Sequence, residues 1–275
     1  MERKRILTVQ DISCVGQCSL TVALPVLSVC GHEACVLPTE ILSTHTGIPG
    51  AEIHHPGRKT MDRFWHHWKE QGITFDAVCT GYLGSVDAVE VVLELTERLL
   101  KQEGLLIVDP AMADHGQMYA GLDGAYAESM KELSRRADIL IPNLTEAAML
   151  AGTPWRERPE EGFIRELMNR FDNPNVILTG VGLRPGETGA AYGRKGRVDY
   201  YSHPRVEGSY SGTGDLFAAC FTGVLLRGHD LPDAVRTAAD FTALCVSLTK
   251  KNPGQRYGIR FEEALPWLVR TLEEG

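Results

Sequence analysis

The sequence predicts an α/β protein with a mainly parallel central sheet. Three observations carry this. Short apolar runs alternate with helix-like segments along most of the chain, as in βαβ units. Polar or conformationally permissive residues follow these runs: Asp11, Gly81-Tyr82, Asp109, Asn143 and Thr179-Gly180. That is where open parallel sheets bind their ligands. Finally, no repeat, low-complexity tract or linker rich in Gly, Pro or Ser interrupts residues 1–275, so a single domain is expected.

Taken in order, residues 5–10 read as the first strand and 19–29 as a helix, with Gly31 as its stop. Residues 34–37 read as a second strand. The stretch 38–58 shows no regular pattern and is too long for an ordinary connection, so it is expected to be a functional segment or small lid. Residues 59–71 carry Met61, Phe64, Trp65 and Trp68 at helical spacing. A strand at 75–80 precedes a long helix at 85–101, closed by Gly104. Then follow a strand at 105–108, a helix at 122–136, a buried strand at 139–141 and a short helix at 145–151 ending on Gly152. A helix at 161–171 and a strand at 176–179 lead to a polar hairpin, 189–192 with 197–202, expected at a sheet edge. Helices at 216–227, 232–248 and 261–273 complete the chain.

Composition narrows the function classes. Apolar residues make up 43% and charged residues 23%, which is globular rather than disordered. A formal charge of −8 argues against nucleic-acid binding. It leaves room for an anionic substrate, because a helix terminus can bind phosphate in an acidic protein. The amino-terminal apolar run stops at Val9, so neither a signal peptide nor a membrane span is expected. Seven cysteines without an export signal point to reduced thiols in the cytoplasm. Cys14 and Cys18 have no second Cys or His pair at zinc-finger spacing. The pairs His54-His55 and His66-His67 point to different faces and read as surface or partly buried residues.

The sharpest segment is 209–219, Ser209-Tyr210-Ser211-Gly212-Thr213-Gly214-Asp215 running into Leu216-Phe217-Ala218-Ala219. Its glycines let backbone N–H groups approach a ligand, and the following helix offers its positive end to an anion. Asp215 is suited to orient and deprotonate an attacking hydroxyl while those N–H groups stabilise a transferring phosphoryl group. Read alone, the segment serves equally as a Gly turn with Asp215 as N-cap. A Walker A loop is absent. Gly180-Val181-Gly182-Leu183-Arg184-Pro185-Gly186 fails as a dinucleotide fingerprint, since Pro185 and Gly186 stop the required helix.

The chain resembles the ribokinase superfamily, and within it the pyridoxal kinases. The matching pieces are Gln10, the stretch from Thr39 through Ser43-Thr44-His45-Thr46, Gly81-Tyr82-Leu83-Gly84-Ser85, Asp109-Pro110-Ala111-Met112, Pro142-Asn143-Leu144-Thr145-Glu146 and Gly212-Thr213-Gly214-Asp215. The resemblance implies a ribokinase-like three-layer α/β/α fold and ATP-dependent phosphorylation of the 5′-hydroxymethyl group of a B6 vitamer. It implies Asp215 as base, with Gly212, Thr213 and Gly214 as the anion hole. Asn143 and Glu146 would organise Mg²⁺ largely through water, with Asp109 near the ATP phosphates and a monovalent cation (K⁺). Thr179 and the segment around His203–Val206 would lie near the nucleotide. Thr46, Gly47 and Tyr82 would line the pyridine pocket. A homodimer is also implied. Bland alternatives remain at several positions: Asn143 with Glu146 as a helix-start pair, Asp109 as a turn former and Tyr82 as a core aromatic.

Two departures stand out. Asp11 occupies a position usually held by Ser, where a carboxylate would favour a protonated ring or an aminomethyl group. Its bland alternative is to accept hydrogen bonds from the 13–16 turn. Gly47-Ile48-Pro49 stands where relatives carry a bulkier contact. A hydroxymethylpyrimidine kinase is therefore the rival reading, and a non-catalytic vitamer sensor the reading from another class.

Overall fold

The computed structural model describes residues 2–208, 210–252 and 254–274; Met1, Ser209, Pro253 and Gly275 lie outside the described residues, Ser209 being the first residue of the glycine-turn segment. The chain forms two compact units, Met1–Pro56 with Arg205–Gly275, and Gly57–Pro204.

The first unit opens with β1 (Arg5–Val15), α1 (Leu20–Val29), β2 (Glu33–Thr44) and β3 (Ile53–His54). The second unit runs through α2 (Arg58–Glu70), β4 (Phe75–Thr80), α3 (Val86–Leu99), β5 (Leu100–Val108), β6 (Ala113–Asp114) and β7 (Gln117–Met118). It continues with α4 (Gly124–Arg136), β8 (Ile139–Leu140), α5 (Leu144–Ala151), α6 (Glu161–Met168), β9 (Asn175–Thr179), β10 (Glu187–Arg194) and β11 (Arg197–Pro204). The chain then returns to the first unit with α7 (Thr213–Leu226), α8 (Leu231–Lys250), a short 3₁₀ turn at Glu262–Ala264 and α9 (Leu265–Glu274).

In the first unit β1 pairs in parallel with β2, and β3 returns antiparallel along β2. Ile6, Leu7 and Val9 of β1 are fully buried, as expected of a parallel strand covered on both faces. Helix α1 closes on α7 at Gly223, where a Cβ would run into the Cys30 side chain. His32 Nε2 bonds the Gly223 carbonyl at 2.9 Å, so the close approach is also hydrogen-bonded.

In the second unit β4, β5, β8 and β9 lie side by side and parallel, so their carboxyl ends form one row. The hairpin β10–β11 continues this sheet in antiparallel sense, with β11 at its edge, as its polar sequence predicts.

Several boundaries differ from expectation. The β1–β2 register shifts between Gln10 and Ile12, and pairing then continues through Ile12↔Ile41 to Val15↔Thr44. Asp11 therefore sits inside β1 at the irregularity rather than beyond the strand's end. Residues 38–44, expected to be irregular, are strand for the same reason: backbone pairing with the extended β1 organises them, not a hydrophobic alternation. Helix α3 ends at Leu99, because Leu100 turns to extended geometry and pairs with Phe75. Gly104 is thus within β5 and not a helix stop. The β6–β7 hairpin has no counterpart in the sequence reading.

Candidate functional site

The first unit holds the glycine turn. Gly212 has φ 89° and caps α7, which begins at Thr213 rather than at Leu216. Thr213, Gly214 and Asp215 are therefore the first helical turn, whose N–H groups lack intrahelical partners. Asp215 is not the N-cap; its Oδ2 accepts a 2.8 Å hydrogen bond from the Ser19 N–H, on another element. The simple capping alternative is thereby removed.

Ser19 is held by a clamped loop. Gln17 N–H donates to the Tyr257 carbonyl at 2.7 Å, and Gln17 forms a bridge with Gly258. A Cβ on Gly212 or on Gly258 would run into the Gln17 carbonyl, so both positions require glycine for contact as well as for conformation. Thr21 Oγ1 ties the same loop down by donating to the Gly16 and Cys18 carbonyls and accepting from Cys18 N–H. Burial raises the Asp215 carboxyl above its ordinary range, opposed by the Ser19 N–H. A base poised this way gains proton affinity without losing its direction.

Asp11 lies beside this pair, 5% exposed. Burial pushes its carboxyl up to about 7; a hydrogen bond from the Ser19 side chain opposes this, while the Asp215 and Glu40 charges add to it. Its partner is therefore Ser19, not the 13–16 turn. Glu40 is also buried, and His55 Nδ1 lies 3.0 Å from its Oε1. Thr46 and Gly47 are exposed in the turn after β2, where Gly47 N–H donates to His45 Nδ1 at 3.2 Å. His45 Nε2 in turn lies 3.3 Å from the Arg256 carbonyl. Val206 is half-buried outside any helix or strand.

The second unit holds the row of strand ends. Thr80 Oγ1 donates to the Asp109 carbonyl, and Asp109 itself is buried. Asn143 forms a bridge with Thr179, whose N–H donates to the Pro142 carbonyl at 2.9 Å. Asn143 caps α5: its Oδ1 accepts from Thr145 and Glu146 N–H, and Glu146 Oε2 accepts from Asn143 N–H at 2.8 Å. The helix-start alternative is thus realised as a full capping box. Its reach is wider than a cap, because Glu146 Oε1 accepts from Met112 N–H and Asn143 Nδ2 donates to the Ala113 carbonyl. The two side chains pin the loop after β5 to the start of α5. Burial pushes the Glu146 carboxyl up to about 7 against these backbone donors. Among the described residues, no cluster of three or more His, Cys, Asp or Glu is arranged to hold a metal directly.

Tyr82 is half-buried with its ring 6.4 Å from that of Tyr119. Gly116 N–H, in the β6–β7 turn, donates to Thr145 Oγ1 at 3.0 Å. Sequence reasoning missed Ser19, Glu40 and Tyr119. Only Ser19 left a signal, as a residue just before a helix; its role depends on contacts with residues 11 and 215.

A half-buried carboxylate hydrogen-bonded from another segment, in the first turn of a glycine-opened helix in a chain without a Walker loop, is the equipment of a small-molecule kinase. The chain belongs to the phosphomethylpyrimidine kinase family, whose model matches residues 52–259. It is similar over 99% of both chains to the crystal structure of pyridoxal kinase from Lactobacillus plantarum, at 31% identity and TM-score 0.90. A Bacteroides thetaiotaomicron protein, provisionally described as a phosphomethylpyrimidine kinase and crystallised with pyridoxal, is 30% identical, with TM-score 0.87 over 99% of this chain and 96% of that one. The pyridoxine/pyridoxal/pyridoxamine kinase of Bordetella bronchiseptica is 26% identical over 85% of each chain. These likenesses bear out the expected ribokinase-like fold class and a phosphotransferase acting on an alcohol group. No helix among the described residues is long and apolar enough to cross a membrane.

Proposed function

We propose that this protein transfers the γ-phosphoryl group of ATP to the 5′-hydroxymethyl group of B6 vitamers, giving the 5′-phosphate and ADP. The observation that carries the reading is Asp215, directed by the Ser19 N–H at the amino end of α7. Asp215 takes the proton of the acceptor hydroxyl as that oxygen attacks phosphorus. The N–H groups of Gly212, Thr213 and Gly214 stabilise the charge on the transferring group. Thr46, Gly47 and Tyr82 receive the vitamer ring. Thr179, Asp109 and Val206 attend the nucleotide, and both compact units act as one kinase domain.

Mg²⁺ fits this site only through water. The Asn143 and Glu146 oxygens are occupied by backbone donors, so these residues would hold water molecules of a hydrated ion carried by ATP. Bound there, the ion would neutralise triphosphate charge. The reading includes a monovalent cation (K⁺) near Asp109, a homodimer and a cytoplasmic location. The net charge of −8 supports neither nucleic acid nor an anionic membrane surface as partner.

The family model's own description favours a second reading, phosphorylation of hydroxymethylpyrimidine by the same base and anion hole. A coupled ADP assay across pyridoxal, pyridoxine, pyridoxamine and hydroxymethylpyrimidine, with Mg²⁺ and with or without K⁺, separates the two. Turnover with a vitamer supports the first reading. Turnover with the pyrimidine alone replaces it, and vitamer binding without ADP release makes the protein a sensor.

A further inference from the structure

We propose that Asp11 is a positioning residue: acting through Ser19, it fixes the direction of the Asp215 carboxylate. This rests on the kinase reading above and deepens it.

The geometry turns on Ser19. Its backbone sits at φ 49° and ψ −128°, a conformation that residues other than glycine adopt only when their surroundings hold them there. Two acidic side chains do the holding. The Ser19 N–H donates to Asp215 at 2.8 Å, and the Ser19 side chain bonds Asp11. The serine carbonyl is fixed as well, accepting from Val22 and Ala23 N–H at the start of α1. Each of these anchors lies on a different element: Asp11 on β1, Asp215 on α7, and the Val22 and Ala23 N–H donors on α1. Rotating the Ser19 peptide away from Asp215 would carry its side chain away from Asp11.

The groups facing Asp11 explain why it has this task. On α7 stands Asp215 and on β2 stands Glu40, which is itself paired with His55; beside Asp11 lies the buried thiol Cys18, which donates to Ser13 Oγ at 3.3 Å. The charged neighbours are both acidic, so Asp11 is not buried as one half of an ion pair. It sits at the register shift of β1, which turns one side chain out of the strand's regular alternation. The Asp215 charge adds to the burial that raises the Asp11 carboxyl.

The test is steady-state kinetics on D11A, S19A, D11A/S19A and D11N, with ATP and each vitamer. If Asp11 works through Ser19, D11A and S19A each lower kcat by about tenfold or more while vitamer KM stays within about twofold. The double variant then falls no further than the weaker single variant, because the two residues form one unit. D11N keeps an acceptor for the serine hydroxyl, so it retains most of kcat. The proposal is overturned if the D11A and S19A effects multiply, or if D11N falls as far as D11A. It is also overturned if D11A leaves kcat intact and reorders kcat/KM among the vitamers, which makes Asp11 a direct substrate contact. Should D11A fail to fold, S19A and D11N still decide. The kinase reading fails separately, if wild-type protein turns over no vitamer.

Discussion

Gly212 and Gly121 offer a matched pair for testing how the glycine turn is built. Both have φ 89°, yet a Cβ on Gly121 would meet nothing within 4 Å, whereas one on Gly212 would strike the Gln17 carbonyl. Alanine at either position bears the cost of left-handed backbone, about 1–2 kcal/mol. At Gly212 the overpacking against backbone adds about 1–3 kcal/mol, since the Gln17 loop is hydrogen-bonded to Tyr257 and cannot yield cheaply. G212A should therefore lose about 2–5 kcal/mol and G121A about 1–2 kcal/mol. The displaced loop carries Ser19, so G212A should also lose kcat by about a hundredfold, while G121A keeps wild-type kcat. Denaturant unfolding and initial rates on both variants provide the assay. Equal destabilisation of the two, with wild-type kcat in G212A, would refute the argument that contact with the Gln17 loop is what requires glycine.

Two further predictions concern buried polar groups. The folded value of Asp11, about 7, lies above the ordinary 3.8, so its ionisation opposes folding as pH rises through that window and has no effect below it. D11N should thus raise Tm relative to wild type at pH 8, by an amount equivalent to about 1–4 kcal/mol, and leave it unchanged near pH 4; a gain at pH 4 would contradict this. N143A removes both cap bonds at α5 and should cost about 1–2 kcal/mol in denaturant unfolding, whereas an exposed polar substitution such as E166A should cost under about 0.5 kcal/mol.

The strands and helices were legible where one physical pattern dominates. The fully apolar core of β4 and the helical stripe of α2 fixed their spans within a residue. The stretch 38–44 was not legible, because Pro38, Thr39, Glu40 and Ser43 carry no strand alternation; the backbone of β1 supplies the pairing. Gly104 misled for a related reason. It follows a helical pattern, but Leu100 had already left the helix to pair with Phe75. At the site, Asp215, Asn143 and Glu146 announced themselves through local spacing. The capping box is local to the start of α5 and was open to sequence as a helix-start pair; the bridge from Asn143 to Thr179 joins two strand ends and was not. Glu40 was silent and Ser19 showed only its place at a helix start, since their meaning depends on a half-buried carboxylate nearly two hundred residues from Ser19 and on the register shift beside Glu40.

The central claim is that Asp215 is the base for transfer to a B6 vitamer hydroxyl. The most direct measurement compares wild type and D215N for ADP release with pyridoxal, alongside vitamer binding by calorimetry. Asn preserves shape and an acceptor for the Ser19 N–H but takes up no proton. The account predicts that D215N binds the vitamer with near wild-type affinity and loses kcat by about 10²–10⁴-fold. Turnover within about threefold of wild type would contradict it.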